Sequence, residues 1–148
     1  ILELGACQGD TTRIFSELFK KVYAVDRDAE NIQILKQKCK DVDNVEASIM
    51  DVTNDTWNFP QVDVVFVDAS HDYPQVAIDI QKCIDIFDNP IIILDDYGNP
   101  NNRNIRNSID DKIREGKIRV DTKIGEDVGF LTKSGWKMID REGVICRV

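Results

Sequence analysis

Histidine occurs once in this 148-residue sequence, and the four cysteines include no Cys-x-x-Cys pair. That spacing gives no basis for a zinc site, and four dispersed thiols are too few for a disulfide scaffold. Reduced cysteines in a cytoplasmic protein are the expectation. Basic residues are also short, with 19 Lys and Arg against 27 Asp and Glu and a formal charge of −8. Proteins that bind nucleic acid draw their non-specific affinity from basic surfaces, so the balance argues against a nucleic-acid partner and favours a small-molecule acceptor. No apolar run approaches the roughly 20 residues that cross a bilayer, and no basic-then-apolar leader is present, so no membrane partner is expected. Low-complexity tracts, repeats and linkers are missing too. A single domain over residues 1–148 is expected, with a composition ordinary for a folded globular chain.

What is present begins at once. Ile1-Leu2-Glu3-Leu4 reads as an apolar strand that breaks into Gly5-Ala6-Cys7-Gln8-Gly9 and then a helix from Asp10-Thr11. Such a strand-glycine loop-helix is a nucleotide-binding turn. A dinucleotide fingerprint counted from Gly5 would need glycines where Cys7 and Asp10 stand. A carboxylate at the helix start would also compete with a pyrophosphate for the same amides and dipole. A ligand with a cationic centre fits better.

Downstream, apolar runs alternate with helical periodicity, the signature of a parallel sheet covered on both faces. The pattern predicts strands at Ile1–Leu4, Val22–Val25, Val45–Ile49, Val62–Val67 and Pro90–Leu94. Val76, Ile80, Cys83, Ile84 and Phe87 fall at helical spacing, with Pro74 suited to a first turn. Further helices are read from Ile14, Phe15, Leu18 and Phe19, from Ile32, Leu35 and Cys39, and from Ile105, Ile109 and Ile113 closed by Gly116. The segment Asp51–Pro60 is ambiguous. After Gly116 come short runs, Lys117–Ile124, Val128–Lys133 and Val144–Val148, punctuated at Gly125, Ser134-Gly135 and Glu142-Gly143. These fit antiparallel strands at a sheet edge.

Glu3-Leu4-Gly5-Ala6-Cys7-Gln8-Gly9 resembles the first motif of the class I S-adenosylmethionine (SAM) dependent methyltransferases, an acidic residue followed by Gly-x-x-x-Gly. Val22-Tyr23-Ala24-Val25 ends in Asp26, where that family holds the ribose hydroxyls. Asp51, after Val45–Met50, matches the acid that reads the adenine amino group. The resemblance implies a Rossmann-like, doubly wound α/β fold with a mostly parallel seven-stranded sheet and an antiparallel C-terminal hairpin. It implies SAM as cofactor, held by Glu3, Gly5, Ala6, Cys7, Gly9, Asp26, Arg27, Asp51 and Asp68. Gly5 and Gly9 could instead serve a tight turn, Asp26 and Asp51 could be N-caps, and Arg27 could be solvated. With the first strand at residue 1, the family's N-terminal helices, which cover the cofactor and shape the acceptor pocket, are expected to be absent from this chain.

Two further stretches carry chemistry. Asp68-Ala69-Ser70-His71 follows the fourth strand and Asp95-Asp96-Tyr97 the fifth, and ligands in open α/β sheets bind at the carboxyl ends of strands. Asp68, Asp95 and Asp96 should converge there, suiting a divalent cation with hard oxygen ligands, most plausibly Mg2+. The arrangement resembles metal-dependent O-methyltransferases, although those acting on natural products carry a second acid where Ser70 stands. Without metal, His71 is the candidate general base; the alternative is that it caps the helix starting near Tyr73. Tyr73, Tyr97 and Trp57 are candidates to line the pocket, and Trp136 to pack the terminal hairpin. Arg103, Arg106, Lys112 and Arg114 suggest a solvated basic helix face more than an anion site.

The reading is an enzyme that methylates a hydroxyl oxygen of a small molecule. An N- or protein methyltransferase is the nearest rival; a nicotinamide-dependent oxidoreductase and a non-catalytic SAM-binding module are others. The oligomeric state is not set by the sequence, and a homodimer is compatible with it.

Overall fold

The computed structural model describes residues 1–98, 103–125, 128–131, 137–140 and 143–148, with 128–131 and 137–140 described by their backbone. In chain order the elements are β1 (Leu2–Leu4), α1 (Asp10–Leu18), β2 (Val22–Asp26), α2 (Ala29–Lys38), β3 (Val45–Ile49), β4 (Val64–Val67), α3 (Tyr73–Ile86), β5 (Ile91–Asp95), α4 (Arg103–Arg114), β6 (Arg119–Ile124), β7 (Val128–Leu131), β8 (Lys137–Asp140) and β9 (Gly143–Arg147).

Seven strands form one sheet in the order β3-β2-β1-β4-β5-β9-β6. β1 to β5 pair in parallel, while β9 runs antiparallel to both β5 and β6. The α/β class, the mostly parallel sheet and the reversed C-terminal strand are therefore as expected. The tail differs in detail. β9 inserts between β5 and β6 because Val144 and Cys146 are apolar enough to be fully buried there, whereas β6 takes the edge. Arg119, Asp121 and Lys123 give that edge the charges that discourage pairing with another chain. β7 pairs with β8 in a separate two-stranded ribbon. The expected run to Lys133, the Ser134-Gly135 turn, Trp136 and Glu142 extend outside the described residues.

Alternation sets the two faces. Leu2 and Leu4 lie on one side of β1, in register with Val65 and Val67 of β4, and these four pack under α3 with Val76, Ile80 and Cys83. Full burial of each such side chain stabilises the fold by roughly 2 kcal/mol. On the other side Ala24, Ile32, Leu35 and Cys39 form a smaller cluster beneath α2. Pro74 sits in the first turn of α3, as its spacing indicated. The order of strands reverses between β1 and β4, so the loops leaving these two strands open a crevice at their carboxyl ends.

Among the described residues, no helix is long and apolar enough to cross a membrane.

Candidate functional site

The glycine loop is hung from β2. The backbone N–H groups of Gly5 and Ala6 both donate to the carbonyl of Val25 at 2.9 Å, turning the chain sharply after β1. Gly5 has φ +87°, and a Cβ there would lie 2.1 Å from the carbonyl oxygen of Asp68, so only glycine fits. Cys7 also has positive φ, 46°. Its N–H donates to Asp26 Oδ2 at 2.8 Å, while Asp26 Oδ1 accepts from the N–H of Asp28 at 2.8 Å. One carboxylate thus ties the glycine loop to the start of α2, whose N-cap, Asp28, accepts from the N–H of Glu30.

A cavity of about 440 Å³ opens beside this loop. Its walls include Gly5, Asp26 and Arg27 from the first two strand ends, 50–54 after β3, and Ala69, Ser70, His71, Asp72 and Gln75 after β4. The volume suits a nucleoside-sized ligand. Asp51 caps its own turn: Oδ1 accepts from the N–H groups of Thr53 and Asn54 at 3.1 Å, and Oδ2 from Asn54 Nδ2 at 2.9 Å. The side chain of Asn54 is the main reason that Asp51 is held below the usual carboxylate range. The capping reading and the cavity-wall reading of Asp51 are compatible, since it does both.

A smaller recess adjoins the first and shares Ser70 and His71 with it; Asp68 and Asp95 complete its polar wall. Burial, then the charge of Asp95, push the Asp68 carboxyl up to about 6, while a hydrogen bond from His71 opposes this. His71 Nε2 lies 3.5 Å from Asp68 Oδ1 and 3.7 Å from Asp96 Oδ2, so the imidazole sits between two carboxylates from neighbouring strand ends. Asp96 is held there with φ +57°, a left-handed conformation that Asp tolerates better than most residues.

The expected convergence of Asp68, Asp95 and Asp96 is seen as neighbouring strand ends, but not as a cation cage. Among the described residues no group of three His, Cys, Asp or Glu side chains is arranged to hold a metal ion. The His71 ring lies against two of the three acids, and this donor set does not fit Mg2+ as it stands.

Other candidates fall around the cavity. Glu3 points away from the lining into the α1 face of the sheet, where it is 1% exposed and Oε2 accepts from Thr12 Oγ1 at 2.5 Å. Burial pushes its carboxyl up to about 7. Ala6, Cys7 and Gly9 shape the loop without lining the cavity. None of the three aromatics expected at the pocket lines it. Trp57 is buried between Phe59 and Phe87, Tyr97 is buried with its hydroxyl donating to Asp110, and the Tyr73 hydroxyl donates to Asp111. The basic residues of α4 are largely neutralised locally, Arg106 by Asp110, Lys112 by Glu115 and Arg114 by Asp111.

Residues that the sequence did not single out include Thr12, Thr53, Asn54, Gln75, Asp79 and Lys82. Only Asp79 left a signal: three residues after Val76 and four before Cys83, it places a charge on the buried stripe of α3, where an acid needs a reason.

A family model described as "Methyltransferase domain" matches residues 2–97. No curated protein matches by sequence. A SAM-dependent methyltransferase from Methanosarcina mazei shares 10% identity at a TM-score of 0.71, over 99% of this chain and 90% of that one. A Streptococcus mutans protein solved in complex with S-adenosylhomocysteine shares 13% at 0.68, over 99% and 87%. Fibrillarin from Aeropyrum pernix, with natively bound SAM, shares 15% at 0.65, over 99% and 64%. Identities this low show a common fold and leave the acceptor to be argued from this chain's own residues.

Proposed function

This chain belongs to the SAM-dependent methyltransferase family, and on that premise we propose that it methylates a hydroxyl oxygen of a small molecule, with His71 as general base and Asp68 as its partner. The observation that carries the reading is the position of His71, shared between the large cavity and the recess that holds Asp68 and Asp95.

The residues fit the adenosyl part of SAM: Asp26 stands at the end of β2, Asp51 and Asn54 line the far wall, and Gly5 lets the floor close on Asp68. SAM supplies the methyl group as an electrophilic sulfonium carbon. The protein holds donor and acceptor in line and excludes water. His71 Nε2 faces Asp68 Oδ1 and Asp96 Oδ2, and two carboxylates so placed favour the protonated ring that forms when His71 takes the acceptor's proton. With SAM bound, the acceptor oxygen would take the methyl carbon, its proton would pass to the His71 ring, and the sulfur would keep the electron pair of the broken bond. Asp68 stabilises the resulting imidazolium.

A magnesium-assisted route through Asp68, Asp95 and Asp96 lacks support in the side-chain arrangement. A small acceptor is favoured over nucleic acid by the net charge of −8, and the free cysteines accord with a cytoplasmic setting. The test is transfer of labelled methyl from SAM, in EDTA, to a panel of phenols and sugars, with RNA and a protein mixture alongside. Label in a hydroxyl acceptor, lost in His71→Ala, supports the reading; label only in RNA or protein overturns it.

A further inference from the structure

The wall of the cavity formed by the segment after β3 has no regular secondary structure of its own. Residues 51–54 make a turn and 55–60 continue as irregular chain. Two of its side chains, Val52 and Trp57, are anchored in the main core. Backbone carbonyls in such a segment need donors, and here one side chain from another element provides them. Lys82 Nζ, on α3, donates to the carbonyls of Val52 at 2.7 Å, Thr53 at 2.8 Å and Asp55 at 2.9 Å. Its ammonium also lies 5.5 Å from the centre of the Trp57 ring, and the indole N–H of Trp57 donates to the same Val52 carbonyl at 2.8 Å. All three donor positions of the ammonium are used, each on an oxygen of one short loop.

One helical turn earlier, Asp79 is fully buried and its Oδ1 accepts from Thr53 Oγ1 at 3.2 Å. Its Oδ2 has no hydrogen-bond partner among the described residues. A buried, half-satisfied carboxylate is costly, and among the described residues its one side-chain hydrogen bond is to the loop that Lys82 holds. Neither Lys82 nor Asp79 lines the cavity, whereas Asp51, Val52, Thr53 and Asn54 do.

We infer that Lys82 and Asp79 form a clasp that fixes the Asp51–Trp57 loop against α3, and that they are thereby positioning residues for the nucleobase end of SAM. The inference rests on the cavity being the SAM site. Without the clasp, the Thr53 and Asp55 carbonyls turn to water, the Val52 carbonyl is left to the Trp57 indole, the turn capped by Asp51 loses its fixed place, and the far wall opens. The glycine loop, tied separately through Asp26, keeps its shape.

The experiment is calorimetric titration of the full chain with S-adenosylhomocysteine and with 5′-methylthioadenosine, which keeps the adenosine and lacks the amino-acid end. Lys82→Met is expected to weaken both by the same factor, at least about tenfold, with Lys82→Arg recovering most of the loss. In a Trp136→Phe background, Trp57 emission should shift to the red in Lys82→Met. A folded Lys82→Met that binds both probes as the wild type does, or that loses only the homocysteine compound, overturns the clasp. Should Lys82→Met fail to fold, Asp79→Ala removes the second contact independently, and unchanged affinity for both probes there overturns it equally. A wild-type chain that binds neither probe removes the SAM-site reading, and the clasp with it.

Discussion

A Cβ on Gly5 would stand 2.1 Å from the carbonyl oxygen of Asp68. The glycine loop beside the large cavity and the loop that carries the acid beside His71 are therefore in backbone contact at the point where strand order reverses. On the proposed function, cofactor binding and acid placement share this one fixed distance, and a change on one side reaches the other.

Gly5→Ala should accordingly damage both. The backbone would leave its left-handed conformation or push the Asp68 loop away, at a cost above about 2 kcal/mol. Thermal unfolding should show the loss of stability, and titration with S-adenosylhomocysteine should show no saturable binding in whatever folded protein remains.

Asp26→Ala leaves the N–H groups of Cys7 and Asp28 without their acceptor, as well as removing a carboxylate from the cavity wall. Binding of S-adenosylhomocysteine should weaken by about 10- to 100-fold, each orphaned donor contributing about 1 kcal/mol. Asp26→Asn keeps an acceptor oxygen and should fall between the two. Equal affinities for all three proteins would contradict the role of Asp26.

Removing the imidazole in His71→Ala should lower kcat by about 10²- to 10³-fold with little change in SAM affinity, the range expected for loss of a general base. The Asp68 carboxyl is raised to about 6, and as the proposed partner of His71 it would act in its ionised form, so activity should climb with pH through that value. In Asp68→Asn that part of the profile should vanish, together with most of the rate.

Glu3 gives a prediction of stability alone. Its carboxyl is pushed by burial to about 7 in the folded state from an ordinary 4.5, so the folded chain holds the proton more tightly than the unfolded one. Its contribution is fully present below about 4.5 and is lost as pH rises through about 7. The loss is on the order of 2–3 kcal/mol, and Glu3→Gln should remove it, leaving a flatter dependence of Tm on pH between 5 and 8.

Much of this architecture was legible in the sequence, for identifiable reasons. β4 and β5 are continuous apolar runs because helices or neighbouring strands cover them, and the α3 stripe shows through its spacing. β8 was not visible, since Lys137–Asp140 offers only Met138 and Ile139 between charges, too short an alternation to separate from loop. The Asp51–Pro60 segment was ambiguous because its shape is set from outside by Lys82, more than twenty residues away, and no local pattern records a distant donor. That Gly5, Asp26, Arg27 and Asp51 stand near one another was legible because glycine spacing and strand-end acids are local features. The aromatic assignments failed for the opposite reason: Trp57 and Tyr97 carry polar tips, but each tip finds its partner inside the protein, at Val52 and Asp110.

Which atom receives the methyl group, and what removes its proton, decides the mechanism. Incubation with SAM carrying a ¹³C-labelled methyl, in EDTA and with small hydroxyl acceptors, can be followed by NMR, where O-methyl and N-methyl carbons resonate apart. An O-methyl signal that grows in the wild type and is nearly abolished in His71→Ala is the expected result. An N-methyl signal, or an O-methyl signal that needs added magnesium and survives in His71→Ala, would contradict it.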